Sequence, residues 1–121
     1  MGPGAGVVAR GVSLLEVSVT TGASGPVVVL SGEADLTTVA GLSDALAAQV
    51  SGGTRHLTVD VSGLRYADSA SIRALVLAGR ALKERGGVLE LLRPQPMVAR
   101  ALSLMGVDQV ITVLGGGEGR E

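Results

Sequence analysis

Between Leu57 and Gly87 the hydrophobic period changes once, and that change limits the folds open to the chain. Leu57, Val59 and Val61 alternate with Thr58 and Asp60, the period-2 pattern of a strand with one buried face. From Ile72 onward the apolar residues Ile72, Leu75, Val76, Gly79 and Leu82 recur at i, i+3, i+4, i+7 and i+10, one face of a helix. The short acidic stretch between them, Asp60 to Ser71, joins a strand exit to a helix N-terminus, with Asp68 and Ser69 at the junction. A serine at that point suits the cap, where its oxygen accepts from a first-turn N–H, and the helix dipole there favours negative charge.

The same reading extended along the chain gives strand, strand, helix, strand, helix, strand, helix, strand. Leu15, Val17 and Val19 alternate with polar residues, and Val27 to Leu30 is a short apolar run after a Gly- and Pro-containing turn, so the two form a hairpin. Thr37 or Thr38 caps a helix whose apolar face is Val39, Leu42, Leu46 and Val50. Gly86 and Gly87 end the central helix, Val88 to Leu92 is a strand, and Pro96 opens a helix carrying Val98, Leu102 and Met105. Val110 to Leu114 is a last short strand. Helical crossovers favour parallel neighbours, and strands with one wet face need cover on one side only. The expected fold is therefore α/β: a mixed β-sheet of four to five strands with α-helices packed on one face. Residues 1–13 are Gly-rich and unpatterned and read as a flexible segment, 14–114 as the domain, and 115–121 as a flexible Gly-rich tail.

Composition removes several function classes. The 121 residues contain no cysteine, which excludes disulfides, thiolate catalysis and cysteine metal sites. A net charge of −1 gives no footprint for nucleic acid. No signal-peptide pattern and no run of about 18 apolar residues is present, so the chain is expected to be cytoplasmic and not membrane-bound. His56, the sole histidine, has no Gly-x-Ser-x-Gly elbow to serve, so no hydrolytic triad is expected. Glu33, Asp35, Asp60 and Asp68 invite reading as an acidic metal or phosphoacceptor cluster. A receiver-type site also needs a lysine at a strand end, and Lys83, the only lysine, is helical, so neither metal nor cofactor is expected.

The run from Asp60 through Tyr66 to Asp68 and Ser69 resembles the signature of STAS domains, and within them the anti-sigma factor antagonists. Gly32, Glu33, Ala34 and Asp35 are similar to that family's Gly-Glu-Leu-Asp element, with alanine in place of leucine. The family's Asp-Ser-Ser-Gly run is departed from at Ala70 and at Ser71, which replaces the glycine. The resemblance implies a non-enzymatic switch. Unphosphorylated, such a protein binds an anti-sigma factor that is also its serine kinase and so frees a sigma factor; phosphorylation of the serine after the aspartate, here Ser69, ends that binding. Carried onto this chain, the partner-binding residues are Glu33, Asp35, Asp68, Ser69, Ser71 and Arg73. The rival is a STAS interaction module of another complex, in transport or signalling, without a phosphorylation cycle. Tyr66, the only aromatic, is expected to pack its ring under the loop. Family members usually end in one more helix; its lack here predicts apolar surface that a partner, or a second copy in a homodimer, covers.

Overall fold

The structure is a computed structural model that describes residues 6–10 and 13–115. Its strands are β1 (Gly6–Arg10), β2 (Ser13–Gly22), β3 (Gly25–Ala34), β4 (His56–Ala67), β5 (Val88–Leu92) and β6 (Thr112–Leu114). Three helices, α1 (Val39–Ser51), α2 (Ser69–Lys83) and α3 (Pro96–Leu104), form the crossovers, and a 3-10 turn, Val107–Gln109, precedes β6. The strands lie in one sheet in chain order. β1, β2 and β3 pair antiparallel, and β3, β4, β5 and β6 pair parallel. The mixed α/β sheet is as expected, with one more strand than the four or five anticipated.

That additional strand is β1, which falls inside the segment 1–13 expected to be unpatterned. Val7, Val8 and Ala9 pair with Glu16, Leu15 and Leu14, covering backbone groups of β2 that would otherwise form the sheet edge. The expectations for residues 1–5, 11–12 and 116–121 lie outside the described residues.

Helices cover one face of the sheet. Val28 and Leu30 of β3, Leu57, Val59 and Val61 of β4, and Leu89 and Leu91 of β5 are buried in one core with Leu42, Leu46, Ile72, Leu75 and Leu82 of the helices. Fully burying each such aliphatic stabilises the fold by about 1.5–3 kcal/mol, which lets a core form without Phe or Trp. The alternate residues Val27, Val29, Thr58, Asp60, Glu90 and Leu92 are only half-buried, on the helix-free face. The apolar row expected for α3 is shorter in the structure. That helix ends at Leu104, so Met105 leaves the buried row of Val98 and Leu102 and is 47% exposed.

β4 is longer than its alternation indicates. Instead of becoming a loop after Val61, it stays paired with β3 as far as Ala67, through Ser31↔Gly63, Gly32↔Leu64, Glu33↔Tyr66 and Ala34↔Ala67. Two irregularities each place an extra residue on β4, between Val29 and Ser31 and again between Gly32 and Glu33. Glycine is required opposite them. Gly32 has φ +108°, and a Cβ there would stand 2.3 Å from the Leu14 carbonyl oxygen.

Candidate functional site

Because β3 and β4 are parallel neighbours, both chains leave the sheet at the same edge, and each enters a helix there. After β3, the Asp35 carboxylate accepts from the Thr37 N–H at 2.9 Å and the Thr37 hydroxyl at 2.7 Å, while the Asp35 N–H donates to Thr38 Oγ1 at 3.0 Å. Thr38 occupies the N-cap position of α1, yet its side chain makes no cap bond. It is buried and serves the turn instead.

After β4, the Asp68 N–H donates to the Ala34 carbonyl at 3.0 Å, which holds Asp68 extended at the strand end. Its carboxylate then accepts from the Ser71 N–H at 2.9 Å. Asp68 is therefore the N-cap of α2, and Ser69, expected as a capping residue, is the first residue of the helix. Ser69 is exposed, and its hydroxyl makes no hydrogen bond among the described residues.

Ser71 faces the other way. It is 1% exposed, in the buried row with Leu75 and Gly79, and its Oγ has no hydrogen-bond partner among the described residues. A side chain so placed cannot touch a docked protein, which removes Ser71 from the expected contact set. Glu33 forms an ion pair with Arg65. Arg73 is exposed one helical turn beyond Ser69.

The carboxylates do not converge. Asp60 lies on the helix-free face, where Arg93 donates to it at 3.0 Å and the Ser62 N–H at 3.0 Å. Partial burial works against its charge, but the Ser62 backbone and hydroxyl and the Arg93 guanidinium outweigh that and hold its pKa below the ordinary aspartate value. Glu33, Asp35 and Asp68 are each engaged as described above, and no group of three metal-ligating side chains occurs among the described residues.

Sequence reasoning missed three features. Tyr66 is 45% exposed instead of packed under a loop, and Leu36, beside Asp35, is 74% exposed, so the acidic edge has apolar neighbours. The third is a groove of about 440 Å³ beside α2, lined by Ser69, Arg73, Val76, Leu77, Arg80 and Met105 among others. Its signal was present in the sequence: positions 69, 73, 76 and 80 follow one helical stripe.

The family model described as "Mlab, STAS domain" matches residues 17–114. The chain belongs to the STAS domain family. Among solved structures, this STAS domain is similar to an anti-sigma factor antagonist from Mycobacterium paratuberculosis, with a TM-score of 0.76 and 24% identity over 83% of this chain and 85% of the other. A putative anti-sigma factor antagonist from Thermotoga maritima gives 0.71 and 20% over 81% and 85%. The unphosphorylated form of the anti-sigma factor antagonist SpoIIAA gives 0.69 and 18% over 80% and 86%, and the structures of SpoIIAA include a phosphorylated form. At these identities the likeness establishes the STAS fold. No curated protein matches the chain in sequence. No helix among the described residues of this STAS domain is long and apolar enough to cross a membrane.

Proposed function

We propose that the protein is an anti-sigma factor antagonist of the bacterial cytoplasm, without enzymatic activity of its own. Unphosphorylated, it binds an anti-sigma factor that is also a serine kinase, and a sigma factor is released. Phosphorylation of Ser69 reverses this. The observation that carries the reading is the division of labour at the start of α2: Asp68 performs the capping, so the exposed Ser69 hydroxyl has no structural task and is open to modification. A phosphate there adds about −1.5 to −2 charges beside Asp68 on a surface that also presents Asp35, Leu36 and Tyr66. A partner fitted to a mildly acidic, partly apolar edge is then repelled. Glu33, Asp35, Asp68, Ser69 and Arg73 form the proposed contact set.

The second reading, a STAS module of another complex without a phosphorylation cycle, is favoured by two observations. The matching family model is that of Mlab STAS domains, and the chain carries Ala70 and a buried Ser71 where the antagonist run has Ser-Gly.

Incubation with the cognate kinase and ATP, followed by mass spectrometry, separates the two. Phosphate is expected on Ser69 alone, with Ser69→Ala abolishing it. By calorimetry Ser69→Asp binds the anti-sigma factor more weakly than Ser69→Ala. No labelling of either serine, with equal affinities for the two variants, gives the case to the second reading.

A further inference from the structure

The groove beside α2 has two properties that the switch at Ser69 does not use. Its lining is part apolar, part polar: the buried Val107 contributes to it, and Leu77 and Met105 stand 52% and 47% exposed along it. Its rim carries Arg73 and Arg80, both exposed, and neither forms an ion pair among the described residues. The Arg80–Glu84 pair that helix spacing permits does not form. Two unneutralised guanidinium groups thus flank an open, partly apolar trough on a chain whose net charge is −1.

Seven residues of α2 rise roughly 10.5 Å, so Arg73 and Arg80 present two positive charges spaced along the groove. The same distance is about two turns of a facing helix, which places two acidic residues seven positions apart opposite Arg73 and Arg80, with the apolar residues between them over Val76, Leu77 and Met105. Nucleic acid would need a broader basic field than two arginines supply.

We propose that this groove seats an acidic amphipathic helix of the partner protein, its two carboxylates on Arg73 and Arg80 and its apolar face in the trough. The proposal rests on reading the α2 edge as a docking surface, and it extends that surface along the helix to a partner segment of stated chemistry. Ser69 ends the same stripe one turn before Arg73, so a phosphate on Ser69 competes with the docked helix for that arginine.

The test uses the full chain and a synthetic helical peptide of about four turns, with two glutamates seven apart flanking leucines, followed by fluorescence anisotropy. Saturable binding is expected. Arg73→Glu and Arg80→Glu should each weaken it about tenfold, the equivalent control Arg100→Glu on α3 should leave it unchanged, and added salt should weaken it. A peptide with lysines in place of the glutamates should not bind. All three arginines are exposed, and circular dichroism confirms that each variant is folded. No saturable binding to the wild type overturns the proposal, as does equal binding by the groove variants or by the lysine peptide. Failure of the switch reading looks different: Ser69 goes unlabelled while the groove variants still lose the peptide. If the groove alone is wrong, phosphorylation still releases the native partner and the peptide is indifferent to Arg73 and Arg80.

Discussion

Replacing Ser71 by alanine should make the protein more stable. The Ser71 Oγ is buried without a hydrogen-bond partner among the described residues, and a hydroxyl in that state costs about 1–3 kcal/mol relative to one that is paired. The bond that matters locally, from the Ser71 N–H to the Asp68 carboxylate, belongs to the backbone and survives the substitution. Alanine keeps the Cβ contacts and adds a few tenths of a kcal/mol of helix propensity. The expected gain is roughly 1–2 kcal/mol, which for a domain of this size raises the thermal midpoint by about 3–8 °C. Ser71→Gly removes the same hydroxyl but loses the Cβ packing and about 1 kcal/mol of propensity relative to alanine, so it should fall near the wild type. Urea unfolding of the three proteins, with unchanged m-values, gives the ranking Ala above Gly and wild type. If Ser71→Ala is instead less stable than wild type by 1 kcal/mol or more, the hydroxyl is bonded in solution and the argument from an orphaned group fails.

Two further outcomes follow from the hydrogen bonds of the strand ends. Asp68→Ala should cost about 1 kcal/mol by removing the cap of α2 while Asp68→Asn costs much less, a difference read from urea midpoints. The depressed pKa of Asp60 means that its stabilising contribution is present above about pH 4 and is lost as pH falls through its lower folded-state value. Asp60→Asn should therefore lower the urea midpoint near neutral pH, and the gap to the wild type should close in strong acid; a gap independent of pH would show that Arg93 and Ser62 do not hold the charge.

The core was legible in the sequence, because burial follows period: the alternation at Leu57, Val59 and Val61 and the rows of α1 and α2 survive in the structure. β1 was not, since Val7 to Ala9 gain their strand character from the unpaired edge of β2, which no local window contains. Nor was the extension of β4 to Ala67, where the bulges break the alternation that would have revealed it. At the site, aspartate and serine are equally good caps, and sequence cannot rank Asp68 against Ser69. The tie is broken by a nonlocal bond, Asp68 N–H to the Ala34 carbonyl, which fixes Asp68 outside the helix. The burial of Ser71 was readable, because it stands four residues before Leu75 and eight before Gly79 in the core-facing row.

That choice of cap determines what a charge on Ser69 would meet. Were Ser69 the cap, a phosphate on it would stand at the first-turn N–H groups and the positive end of the α2 dipole, and the helix would absorb much of the added charge. With Asp68 in that place, the Ser71 N–H is already taken and a carboxylate already faces the dipole. A phosphate one residue further on is repelled by Asp68, and the nearest positive group along its helical stripe is Arg73, one turn ahead and on the rim of the groove. Modification would then act on the proposed docking surface in two ways at once, by adding negative charge at Ser69 and by engaging the nearer of the two arginines, Arg73. A single covalent event on an exposed first-turn residue would thereby change the Ser69–Arg73 end of the α2 edge without requiring any movement of the core beneath it.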